Sequence, residues 1–401
     1  MLEAQVADVS EKLRASIGGP RAHLERRPRA ARTNGFVPAV SLAPSVPFAN
    51  DAPNWGTARA RARAPRARRR HERPGGTRAR ECRVRWVVFG AGAVGGVVGA
   101  RLHRSGHDVT LVARGDHLRA LRARGLRVES PDGASTLRIP AVDDVAPLGL
   151  TPRDVVLIAT KSQHTDAALQ HLVPAVPPEL PVLCVQNGVE NERRALRYFA
   201  NVYGVCVMCP ATHLVPGVVE AHRAPVAGIL DLGRYPTGTD RVAEGLAASL
   251  GAAGFWSEAR PDIMRWKYAK LLRNLANALE VLCGPGQGPR EAARRARDEG
   301  VACLEAARIP FASAAEDAAR RAVLVASGGG RSAGGSSWQS VARGTGDVEV
   351  DFLNGEIVRL GRRHDVPTPV NAALQRLAGD LARRRAPPGS LSEDDVLRLV
   401  S

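Results

Sequence analysis

The 401-residue sequence predicts an α/β domain built on a mostly parallel sheet, followed by an all-α C-terminal domain. Three observations carry that expectation. A short apolar strand runs directly into the glycine loop Gly90-Ala91-Gly92-Ala93-Val94-Gly95. Apolar strands then alternate with helical stretches, which is how a parallel sheet with crossover helices reads in sequence. Beyond Pro261 the apolar positions switch to helical spacing.

Residues 1–83 stand apart from the rest. They are rich in Ala, Arg and Pro, with the run Ala58 to Arg70 almost wholly Arg and Ala. Such a stretch holds too little apolar surface to offset its ordering entropy, so disorder is expected. Three readings fit it: a basic arm for nucleic acid or anionic surfaces, a solvated tail, or a stretch outside the native protein, whose start would then lie near Val84. We favour the last. The formal net charge of +17 belongs mostly here, since residues 1–80 hold 17 Lys+Arg against 6 Asp+Glu, leaving +6 for the remainder. The folded part therefore carries no nucleic-acid signature, and nucleic acid is not an expected partner.

From Arg85 the texture changes. Trp86 to Phe89, His107 to Ala113, Val155 to Ala159 and Pro181 to Val185 read as strands. The run Val202 to Cys209 reads as a buried strand opening a second sheet portion that extends to about Asp231. Asp262 to Leu282 reads as one helix, stopped by Gly284-Pro285. Val350, Leu353, Ile357 and Leu360 mark a further helical face, and Gly328 to Gly335 a glycine-rich loop. The expected domains are thus 84–260 and 261–401.

Six cysteines are scattered through the chain, which is no disulfide framework. Cys206 and Cys209 have redox or zinc spacing, but no second pair completes a metal site, and a buried strand is the better reading. No apolar run reaches the ~20 residues a membrane helix requires, and the first residues lack the apolar centre of a signal peptide. No membrane partner is expected, and the default location is the cytoplasm.

The glycine loop follows a strand and opens a helix within one βαβ unit, the context that gives the motif meaning. Gly90 permits the tight turn, Gly92 lets backbone approach a pyrophosphate, and Gly95 allows close helix–strand packing. The helix N-terminus offers unpaired N–H groups to phosphates. An NAD site places Asp or Glu at the end of the second strand; here Ala113-Arg114-Gly115 stands there. Arginine pairs with a 2′-phosphate, so NADP(H) is the expected cofactor of what reads as a Rossmann domain.

Lysine is scarce: Lys12, Lys161, Lys267 and Lys270 are the four among 57 basic residues. Arginine does not readily release a proton and lysine can, so a chain otherwise built on arginine points to particular uses for its lysines. Lys267 is expected at the surface. Lys270 and Asn274 share one helix face, with Asn277 close to it a turn later. That cluster fits either the polar edge of a helix or a site that holds a carbonyl substrate.

Taken with further motifs, these residues resemble the ketopantoate reductase, or 2-dehydropantoate 2-reductase, family from Val84 to about Arg384. The motifs fall in family order: the glycine loop with Arg114, Thr160-Lys161, Gln186 to Glu190, Trp266 to Asn274, Ser336 to Gln339, and Glu349 to Gly355. The resemblance implies a Rossmann domain and a helical domain with the active site in the cleft. It implies that Lys270 is the catalytic lysine and that Asn187 lies near nicotinamide and substrate. Lys161 would line the cofactor pocket, Asn274 and Ser337 would hold polar groups of the substrate, and Glu349 would orient the lysine. One departure stands out. Many members carry an asparagine four residues beyond Asn274; here that position is Ala278, and Asn277 sits one residue early, about 100° around an ideal helix.

The implied activity is NADPH-dependent reduction of a small branched 2-keto acid, with ketopantoate the leading candidate and Lys270 as general acid. An unperturbed ammonium is protonated at neutral pH, so no large pKa shift is required. A related NADP-dependent keto or hydroxy acid dehydrogenase, and a catalytically silent NADP(H)-binding sensor, are the alternatives. The oligomeric state is left open, with a homodimer as the assembly considered.

Overall fold

The computed structural model describes residues 84–400 apart from 288–289, 327–334 and 345. The basic tail and most of the glycine-rich loop at 328–335 lie outside the described residues. A seven-stranded sheet organises the first part of the chain. In chain order, β1 (Arg85–Phe89) leads through α1 (Ala93–Arg104) to β2 (Asp108–Val112), and α2 (Gly115–Arg124) follows. A hairpin of β3 (Leu126–Ser130) and β4 (Gly133–Leu137) precedes β5 (Ala141–Val142) and β6 (Val155–Ile158). Then come α3 (Thr165–Leu172), β7 (Val182–Cys184), α4 (Asn191–Ala195) and β8 (Val202–Met208). The short β9 (Ala211–Thr212) and β10 (Val218–Ala221) precede β11 (Ile229–Arg234) and α5 (Arg241–Ala252).

The main sheet has the order β11-β8-β7-β6-β1-β2-β5. All neighbours run parallel except β11, which pairs antiparallel with β8. Its central strands are apolar throughout because both faces are covered. Trp86 and Val88 enter one core, packed on α1 and α5, while Val87 enters a second core with Leu169 and Leu172. The second sheet portion expected over 202–231 divides differently. β8 and β11 complete the main sheet, whereas β9 and β10 join β3 and β4 in a separate four-stranded sheet. Register decides this: β8 is long and wholly buried, so it seats beside β7, while the two-residue β9 reaches only β10.

Helices take over at Ile263. The expected single helix from Asp262 to Leu282 is two, α6 (Ile263–Asn274) and α7 (Asn277–Cys283). At the break Leu279 N–H donates to the Ala276 carbonyl, an i→i+3 bond, and the buried Asn354 side chain donates to the Leu275 carbonyl. An inserted side chain that takes a carbonyl from the helical ladder is a recognised cause of such breaks. Gly284, at φ +97°, then ends α7. The remaining helices are α8 (Arg290–Ala306), α9 (Ala314–Ala326), α10 (Ser336–Ala342), α11 (Asn354–His364), α12 (Pro369–Arg383) and α13 (Glu393–Val400). The face marked by Val350, Leu353, Ile357 and Leu360 is wholly buried, although Glu349–Phe352 is a 3₁₀ turn and α11 starts only at Asn354. No helix among the described residues is long and apolar enough to cross a membrane.

Candidate active site

A cleft of about 1190 Å³ runs from the glycine loop, across the carboxyl ends of β1, β6 and β7, to α6, α7 and α10. That is where an open α/β sheet offers a ligand site. At its floor, Gly90 adopts φ +104°, and the N–H groups of Gly90 and Ala91 both donate to the Val112 carbonyl, 3.1 Å each. A Cβ on Gly95 would lie 2.1 Å from the Gly90 carbonyl oxygen, so only glycine lets α1 approach the loop so closely. A Cβ on Gly92 would meet nothing within 4 Å, because that position opens toward the cleft. Gly92 caps α1 without a side-chain hydrogen bond, which leaves the helix N–H groups, with Ala93 and Val94 beside them, free to meet an anion.

Sequence reasoning passed over one support of this loop. His117 of α2 holds the Ala91 carbonyl through Nε2 at 2.8 Å, and its Nδ1 accepts from Gly217 N–H at 2.9 Å. Because a backbone N–H can only donate, Nδ1 is the acceptor and Nε2 carries the proton. Burial, and the His213 ring 4.3 Å away, push His117 down to about 4, so this neutral tautomer persists. No local motif marks it, since its partners are 26 and 100 residues distant.

Arg114 stands exposed at the cleft mouth just beyond β2 and has no ion-pair partner among the described residues. The nearby acid, Asp116, is engaged with Arg119.

Across the cleft, four sequence-selected residues come together. The Lys270 ammonium donates to Asn187 Oδ1 at 2.6 Å. Ammonium groups offer only donors, which turns the amide so that Nδ2 faces Ser336 Oγ, 3.4 Å away. Lys161 donates to Glu349 Oε2 at 3.0 Å and to the Ser336 carbonyl at 3.3 Å. The other Glu349 oxygen accepts from the Ser162 backbone and hydroxyl, 3.1 Å each. The implied contact between Glu349 and Lys270 is therefore corrected: Glu349 bonds Lys161 and Ser162, and Asn187 holds Lys270. Burial would raise the Glu349 carboxyl, but Lys161 and the Ser162 donors outweigh it and hold it below its ordinary value. Lys270 also moves down. Burial chiefly, then the Arg273 and Lys267 cations, bring it down to about 8.

Asn274 and Asn277 both line the cleft, as does Glu280. Asn277, one residue before the family's asparagine position, reaches the cleft, while Ala278 does not line it. Ser337 is buried and does not line the cleft; Ser336 takes that place. Lys267, expected at the surface, is 3% exposed, and it contacts Glu192, the Gln186 carbonyl and the Val205 carbonyl. The Cys206 and Cys209 thiols are buried, Cys209 pushed up to about 12, which leaves them protonated and inert.

The chain matches the sequence profile "Ketopantoate reductase PanE/ApbA" over residues 86–236 and its C-terminal counterpart over 262–382. It is 30% identical over 294 residues to the 2-dehydropantoate 2-reductase of Pyrococcus horikoshii, covering 72% of this chain and 95% of that one. The enzyme of the same name from Halobacterium salinarum is 30% identical over 309 residues, with 73% and 97% covered. Among solved structures, the PanE/ApbA family ketopantoate reductase from Ralstonia eutropha superposes with a TM-score of 0.65 at 30% identity, covering 75% of this chain and 99% of that one. A D-mandelate dehydrogenase solved with NADH and anilino(oxo)acetate shares the fold, with a TM-score of 0.64 at 22% identity and 75% and 99% covered.

Proposed function

The chain belongs to the ketopantoate reductase family of oxidoreductases, and on that premise we propose that it reduces a small branched 2-keto acid with NADPH, ketopantoate first among candidates, with Lys270 as general acid. The observation that carries the proposal is the half-buried Lys270–Asn187 contact facing the cleft that begins at the glycine loop.

The residues present fit a dinucleotide. The open Gly92 position and the uncapped α1 terminus suit a pyrophosphate, and unpaired Arg114 suits a 2′-phosphate. Once bound, the nicotinamide supplies hydride to the substrate's carbonyl carbon. The chain's own part is to manage the charge that develops on the carbonyl oxygen. Lys270, at about 8, is protonated roughly ten to one at pH 7. It stabilises that oxygen and gives it a proton, acid catalysis worth roughly 10²–10⁴-fold. Its depressed pKa makes it a better acid than a free lysine while keeping the charged form in excess. Asn187 aims the ammonium, and the Glu349–Lys161 pair, neutral in sum, lines the cleft with it. Asn274, Asn277 and Ser336 offer hydrogen bonds to the substrate's polar groups. A cytoplasmic location suits such an enzyme.

A second reading, the same chemistry on a different 2-keto acid, is favoured by one observation. Ala278 is buried outside the cleft, and Asn277 and Glu280 line it instead. The experiment for both is NADPH oxidation against a panel of 2-keto acids that includes ketopantoate. Turnover of ketopantoate with the highest kcat/KM supports the first reading, and preference for another acid the second. No turnover of any acid would overturn the reductase proposal. On the cofactor side, Arg114→Asp is expected to move the kcat/KM ratio toward NADH, and an unchanged ratio counts against the 2′-phosphate role.

A further inference from the structure

The least expected feature of the molecule is the buried pair formed by Lys267 of α6 and Glu192 of α4. Their side chains are 2% and 0% exposed, and Nζ lies 2.6 Å from Oε1. The ammonium also donates to the carbonyls of Gln186, 3.0 Å, and Val205, 3.1 Å. One cation thus ties α6 to the end of β7, to β8 and to α4. The arrangement is costly. The Oε1 contact is close but off the line of a hydrogen bond, and Oε2 has no hydrogen-bond partner among the described residues. Removing two such charges from water costs several kcal/mol each, and apolar residues of the same size often give an equal or more stable fold. Stability is therefore a poor reason for this pair to be here.

Its position supplies a better one. Gln186, whose carbonyl Lys267 grips, precedes Asn187, whose side chain receives Lys270. Lys267 and Lys270 lie one turn apart on the same helix, so α6 holds the turn at two adjacent residues, once by backbone and once by side chain. Gly188, the last residue of this turn, has φ +76°, a conformation glycine adopts readily.

We propose that Lys267 and Glu192 are positioning residues for the reduction, clamping the Gln186–Gly188 turn against α6 so that Asn187 and Lys270 meet. This rests on Lys270 acting as the acid. The test is the double substitution Lys267→Met/Glu192→Leu, which removes both charges at similar volume, compared with wild type and with Lys270→Met in steady-state kinetics on ketopantoate or the panel's best substrate. For a clamp, kcat falls about 10- to 100-fold, the loss that small misplacements cause. NADPH affinity and the melting temperature stay close to wild type, and the alkaline limb of kcat/KM moves to higher pH because a cation beside Lys270 is gone. Wild-type kcat with an unmoved limb overturns the clamp, as does a loss of kcat accompanied by equal losses of NADPH affinity and melting temperature. Should the double variant not fold, Glu192→Gln, which keeps shape and leaves Lys267 in place, is read by kcat, NADPH affinity and melting temperature: a loss of kcat alone supports the clamp, and wild-type kcat overturns it. A fully active Lys270→Met would refute the acid assignment itself. An inactive Lys270→Met beside a fully active double variant refutes only the clamp.

Discussion

Lys270 shows how burial sets the working range of a residue. A free lysine would stay an acid to beyond pH 10, whereas desolvation brings this one to about 8. If Lys270 acts as the proposed acid in its protonated form, kcat/KM is expected to hold level from pH 6 to 7 and to fall as pH rises through 8, with unit slope. A pH–rate profile checks it, and a limb at 10 would show that burial does not govern the group. Lys270→Ala should lose at least about 10² in kcat while NADPH still binds. The scarcity of lysine singled out Lys161 and Lys270, which line the cleft, yet it left Lys267 at the surface. Lys267 and Lys270 both sit on an amphipathic helix, and only the packing shows that both faces are covered.

At the scale of elements, the strand–loop–helix unit at β1 and α1 is local and was legible, because glycine spacing and strand length arise within some twenty residues. Two of its glycines should behave differently when substituted. Gly95→Ala forces a Cβ against the Gly90 carbonyl, so the fold should lose about 1–3 kcal/mol, as overpacking does. Gly92→Ala meets nothing in the protein, so the melting temperature should hold while NADPH affinity falls. Thermal melts and NADPH titration of the two variants check this, and equal melting losses would contradict it. The α6–α7 break was not legible. Asn354, 79 residues from the carbonyl it takes, bonds to the break, and beyond it Asn277, not Ala278, lines the cleft.

Across the whole molecule, the sheet edge and the helical region are joined by buried charge. Asp231 of β11 accepts from Arg320 of α9 at 2.8 and 2.5 Å, from Arg260 at 2.9 Å and from Glu258 N–H at 3.0 Å. Asp231→Ala leaves the nearly buried Arg320 guanidinium without its chief partner. A loss of about 3–5 kcal/mol is expected, read by urea or thermal unfolding, and a loss below about 1 kcal/mol would mean the guanidinium relaxes to water.

The parallel strands, the glycine loop with its helix, the family and the helix that carries Lys270 were legible in the sequence. The first two depend on periodicity and spacing within a few turns of chain, where covalent geometry leaves little choice, and the last two on several motifs in a fixed order. Partnership was decided by tertiary structure. Glu349 turned to Lys161 and not Lys270, Ser336 displaced Ser337, and Lys267 went inside. Those outcomes depend on which surfaces close over which side chains, and on the desolvation and pairing that follow. Contacts spanning 80 to nearly 190 residues are not written in any local pattern.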